Sequence, residues 1–170
     1  MTPYQSEYKR YQRLLSSAVE QLNDEEFFKQ LSPSSNSVAI IIKHLSGNWT
    51  SRFTDFLTTD GEKPWRNRET EFDVTGLSRA DLMEKWDAAW EILSENVFSL
   101  TPDDLQRTVT IRGVSLTVDE ALMRSITHFS HHVGEIVFLA KYLKGDDWTY
   151  LSIAPGGTDA YNKNPTREKG

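Results

Sequence analysis

"TVDEALMRSITHFSHHVGEIVFLAKYL", residues 117–143, carries one unbroken helical period, and its reading decides the fold. Thr117 with Glu120 three residues on has the form of a capping box. Lys141, Lys144 and Gly145 suit the negative, left-handed end of a helix. With His128 set to zero and about 100° per residue, Ile136 falls at about 80°, Phe129 at about 100°, Leu122 and Ala140 at about 120°, Val133 at about 140° and Val137 at about 180°. One apolar stripe therefore faces a core, and it needs partner helices of the same kind.

Three other stretches supply them. In the first, about residues 3 to 30, Tyr4, Tyr8, Tyr11, Leu14, Leu15, Ala18, Val19 and Leu22 recur at three- and four-residue steps. A break is expected near Gln21 to Asp24, with "FFKQL" as a short second piece. "SPSSNS" is turn chemistry with an N-cap at Asn36 or Ser37. The second long helix is expected over about 37 to 58, with Val38, Ile42, Leu45, Trp49, Phe53 and Phe56 on one side. "TDGEKPWRNRETEFDVTG", residues 59–76, is polar and reads as a long connection, which is either functional or mobile. The third helix lies in "LSRADLMEKWDAAWEILSENVFSL", residues 77–100, with Ser78 and Asp81 in capping relation, and Thr101-Pro102 ends it. "RTVTIRGVSLTV", residues 107–118, alternates around Arg112-Gly113 as a small β-hairpin does. The fold class is all-α, an antiparallel four-helix bundle with a small β-hairpin before the last long helix. Residues 1–162 are expected to form that single domain and 163–170 a frayed C-terminal tail.

Composition narrows the function. The 170 residues carry a net charge of −6 with no basic cluster, which disfavours nucleic acid. The apolar run "VAIII", residues 38–42, is far short of the roughly 20 residues a membrane span needs. The polar start "MTPYQSEYKRYQ" has no secretion signal, so a cytoplasmic location is expected. The chain has no cysteine, so thiolate ligands and a protein thiol nucleophile are excluded and any metal must be held by His, Asp, Glu or backbone.

Three of the four histidines lie in "HFSHHVGEI", residues 128–136. His132 falls about 40° from His128, between it and the core stripe, while His131 falls at about −60°, towards solvent. On the second helix the remaining histidine, His44, sits just off the core edge in the same sense as His128, and Asn48 shares its stripe one turn on. His44, His128 and His132 thus make either a three-imidazole set for Zn, Ni, Fe or Mn, with at least one coordination position left open, or a group of surface and hydrogen-bonded histidines that holds no ion. An open position suits a catalytic rather than a structural ion. Glu135, at about −20°, is placed to orient an imidazole or to take a proton, which makes it the candidate catalytic carboxylate, or else to stand exposed and pair with Lys or Arg. Arg124 and Ser125, one turn before His128, either meet an anionic substrate or face solvent, and Asn48 and Arg124 are the candidate substrate-binding residues.

"IIKHLSGNW" followed some eighty residues later by "HFSHHVGEI" resembles the DinB/YfiT-like superfamily of metal-binding four-helix bundles. The tail "WTYLSIAPGGTDAYN" looks like a branch of that superfamily known only as a domain of unknown function. Thr158 stands where Ser is usual, Ala154 is inserted before Pro155, and Glu135 replaces the commoner Gln. The resemblance implies an up-down-down-up bundle, commonly a homodimer, with a divalent metal on His44, His128 and His132. It also implies, as one activity among relatives, metal-dependent S-transfer or isomerisation using a low-molecular-weight thiol such as bacillithiol or mycothiol. Two readings follow: a metal-dependent thiol S-transferase or hydrolase-like enzyme acting on a small molecule, or a non-catalytic dimeric metal-binding or stress-related bundle.

Overall fold

The computed structural model describes residues 3–165. Helix α1 (Pro3–Val19) stops ahead of Asn23, whose side chain accepts from Glu26 N while Glu26 bonds back to the Asn23 amide. That reciprocal cap starts the short α2 (Asp24–Phe28). Ser37 caps α3 (Val38–Phe53) through Ile40 N, and Ser78 with Asp81 closes a capping box on α4 (Arg79–Val97). The hairpin pairs β1 (Thr108–Ile111) with β2 (Val114–Thr117) antiparallel, Val109 facing Leu116. Arg112 and Gly113 both take positive φ, 55° and 74°, as the two central residues of a type I′ turn do. Helix α5 (Val118–Lys144) follows at once on the Thr117–Glu120 box, and a short α6 (Thr158–Lys163) closes the described chain.

Side-chain bonds fix the helix directions. Tyr4 Oη donates to Asp119 Oδ1 at 2.6 Å near the start of both α1 and α5, and Gln21 just past α1 pairs with the Thr149 backbone just past α5, so these helices run parallel. Helix α4 runs against α1: Arg79 at its start bonds Val19 O at 2.8 Å, and Phe98 at its end accepts from Gln5 Nε2 at 2.7 Å. Helix α3 packs chiefly on α4, and its end, Phe53, meets Tyr8 near the start of α1. The order is up, down, down, up. Two parallel neighbours in the middle require a crossover, and residues 54–78 provide it.

The core is aromatic at its centre. Trp49 of α3 lies 4.8 Å from Trp86 of α4 and 4.5 Å from Phe129 of α5, ring centre to ring centre, with Tyr8 of α1 at 6.0 Å. All four helices therefore meet on one fully buried ring cluster.

One expectation needs correction. The second long helix ends at Phe53, not near 58, because Thr54 is extended and Asp55 takes φ 49°. Phe56 is still buried, delivered by a turn rather than by another helical step. Beyond Lys144, Gly145–Asp147 forms a 3-10 turn, and α6 reaches one residue into the expected tail. Within the expected tail 163–170, residues 166–170 lie outside the described residues. No described helix is long and apolar enough to cross a membrane.

Candidate metal centre

Because α3 and α5 run antiparallel, the stripe of His44 on one faces the His128–His132 pair on the other. His44 Nε2 lies 3.3 Å from His128 Nε2, and the ligand atoms of His44, His128 and His132 all fall within 4.8 Å of one another. Two nitrogens each about 2.0–2.1 Å from a tetrahedral zinc are about 3.3–3.4 Å apart, so the shortest pair already has the spacing of ligands to one ion.

The outer nitrogens are spoken for. His44 Nδ1 is 2.8 Å from Glu71 Oε2, and His132 Nδ1 is 2.5 Å from Glu135 Oε2. A carboxylate on Nδ1 makes that nitrogen the donor and leaves Nε2 as a lone pair aimed inward, the arrangement by which outer carboxylates orient metal-ligating imidazoles. Burial, then the neighbouring His132 and His44, push the His128 pKa down to about 4. Burial likewise lowers His132, against the opposing pull of Glu135. Both rings are therefore neutral near pH 7, the form that binds metal.

Of the two roles open to the long polar crossover, functional or mobile, its packing beside His44 favours the first. Its 3-10 turn Arg68–Phe72 packs against α3, placing Glu71 behind His44 and stacking Phe72 on the His44 ring at 5.4 Å. Burial alone raises a carboxyl, yet the bonds from His44 and Arg66 outweigh it and hold Glu71 below the ordinary range. Arg66 grips Glu71 with Nε at 2.8 Å and Nη2 at 3.0 Å, and its Nη1 reaches Glu62 at 3.2 Å.

Gly47 makes this approach possible. A Cβ there would stand 2.5 Å from Glu71 Oε1 and 2.9 Å from its Cδ, so the carboxylate has room only because α3 carries a glycine one turn from His44. Gly47→Ala should gain about 1 kcal/mol of helix propensity and lose the Glu71–His44 bond. The expected result is metal affinity about 10–100-fold weaker with little change in melting temperature, read by competitive chelator titration and circular dichroism. Unaltered affinity would show that Glu71 does not orient His44.

Glu71 and Arg66 carry no site pattern of their own in the sequence; a mid-helix glycine beside His44 is the one local feature that suits their close approach. The other candidates fall as follows. Asn48, Arg124 and Ser125 line a cavity of about 170 Å³ next to His44 and His128. Glu135 meets the Nδ1 of His132. The His131 side chain is 70% exposed, 3.6 Å from Glu135. His131, His132 and Glu135 form a second, outer grouping of donors that shares His132.

Fold and site together define a four-helix bundle with a histidine-rich cluster compatible with a divalent ion. The chain belongs to the family described as "Protein of unknown function (DUF1572)", whose model matches residues 1–157, a family generally grouped with the DinB/YfiT-like metal-binding bundles. Comparison with curated proteins and with solved structures gives no match.

Proposed function

We propose that this chain is a metal-dependent enzyme that holds a divalent ion on His44, His128 and His132 and acts on a small molecule as a thiol S-transferase or hydrolase. The observation that carries the reading is the pairing of a 3.3 Å Nε2 to Nε2 contact with carboxylates on the outer nitrogens of His44 and His132. A divalent ion bound there supplies a Lewis acid that lowers the pKa of a thiol or water at its open position.

The chain's own residues do the rest. Glu71, held by Arg66, fixes the His44 ring, and Phe72 covers that ring and keeps water from its face. Glu135 Oε2 accepts the Nδ1 proton of His132 and acts through that ring, as a positioning residue. Asn48 and Arg124 line the cavity beside the open side and are the residues proposed to bind substrate.

Protein purified without added metal is expected to hold close to one divalent ion per chain by elemental analysis. Its Zn, Ni, Mn or Fe form is expected to conjugate a low-molecular-weight thiol or hydrolyse an ester or amide. A folded chain that binds no ion on titration would sink the reading.

A second reading, a non-catalytic dimeric metal-binding bundle, draws on Phe138 and Tyr142, each 65% exposed and one turn apart on α5. It requires a dimer by light scattering, with bound metal and no turnover on any of these substrates.

A further inference from the structure

Helices α3 and α5 each continue the histidine stripe into arginine. On α3 the four-residue step runs His44, Asn48, Arg52; on α5 it runs Arg124, His128, His132. With the helices antiparallel, Arg52 and Arg124 come together on the same side of the imidazoles. Arg124 stands about 6 Å of helix rise from His128, and Arg52 about 12 Å from His44.

The crossover and the hairpin turn add Arg66, Arg68 and Arg112 to the same cavity. Five guanidinium groups border it, and no carboxylate is among the lining residues. Glu62, Glu69 and Glu71 pair with Arg66, Arg68 and Arg112 without lining the cavity.

The arrangement is built. Arg52 is 8% exposed, and its buried Nε has no hydrogen-bond partner among the described residues. Its stem fits only because position 61 is glycine, where a Cβ would come within 2.9 Å of Arg52 Cδ. Asp60 takes the Arg112 and Gly113 amides at 2.8 and 2.9 Å and so pins the turn that presents Arg112. Burial, then Arg124 and Arg66, depress the Arg52 pKa, the direction expected of a guanidinium held among like charges. An unpartnered, nine-tenths-buried cation in a chain of net charge −6 calls for an anion from outside.

We propose that this cavity binds the oxyanion headgroup of a small molecule, a phosphoryl group or clustered carboxylates, gripped by Arg52, Arg68, Arg112 and Arg124 beside the three histidines. Guanidinium forks suit such groups because two parallel N–H donors match two oxygens. At about 170 Å³ the cavity admits a headgroup, with the remainder of the molecule directed towards the metal position or solvent. The inference rests on the metal-dependent reading for its role as a substrate subsite, but the anion binding itself does not.

The test is calorimetric titration of the full chain, dialysed against chelator and, separately, loaded with zinc, using inorganic phosphate and tricarballylate at low ionic strength. Saturable one-site binding is expected in the metal-free chain. It should weaken about tenfold in Arg124→Gln and in Arg68→Gln, both exposed enough to fold normally, and stay unchanged in Lys141→Gln on the far end of α5. Tighter phosphate marks a phosphoryl headgroup, tighter tricarballylate a carboxylate one. No saturable binding, or equal weakening in Lys141→Gln, overturns the proposal. Anion binding without zinc binding leaves it standing and removes the metal reading; zinc binding without anion binding does the reverse.

Discussion

A His44→Ala chain is expected to purify folded and without its metal. His44 is the sole histidine that α3 contributes to the inner cluster, so its loss leaves only the His128–His132 pair from α5. Loss of an outer orienting partner typically weakens metal binding about 10–100-fold, and removal of a ligand itself should exceed that. The fold should survive because the buried Glu71 is not orphaned: Arg66 still holds both its oxygens at 2.8 and 3.0 Å. Elemental analysis and circular dichroism check the two halves of the expectation, with His131→Ala as the comparator that keeps its ion. The reverse pattern, metal retained in His44→Ala and lost in His131→Ala, would move the ion to the outer grouping of His131, His132 and Glu135.

Much of the histidine cluster is legible in the sequence because its members obey local rules. A four-residue step on a helix puts His128 and His132 together whatever the rest of the chain does, and the angular offset from the apolar stripe separates them from His131. The caps at Ser37, Ser78 and Thr117 were legible for the same reason, since each depends on residues within one turn. Glu71 and Arg66 were not. They reach His44 from a segment with no hydrophobic period, and their place depends on how the crossover lies across α3, a tertiary fact. Phe56 misled in the opposite sense: its spacing from Phe53 fits a helix, but a turn at Thr54 and Asp55 buries it equally well. Arg52 is not legible either, because it falls towards the core side of α3, where an arginine makes sense only once Arg124 and the cavity that both line are known.

Trp49→Ala should be the most destabilising single change in the fold, and its effect should reach the metal. The indole is fully buried between Trp86 and Phe129, so truncation removes apolar burial and leaves a cavity that rings from three other helices border. Such substitutions cost about 3–5 kcal/mol, which for a chain of this size corresponds to roughly a 10 °C fall in melting temperature. Phe129 adjoins His128 in sequence and Trp49 lies on the helix that carries His44, so the same ring contact sets the spacing between the two ligand-bearing helices. An ion that binds only the folded form stabilises it by about 4 kcal/mol at a thousand times its dissociation constant. Zinc should therefore raise the melting temperature of both chains, but Trp49→Ala should need more zinc for the same increment, because its loosened helices must be drawn back into register. Thermal melts over a zinc series measure this directly. Equal increments at equal zinc would mean that the histidine cluster is held by Glu71, Glu135 and the crossover alone, independently of the aromatic core beneath it.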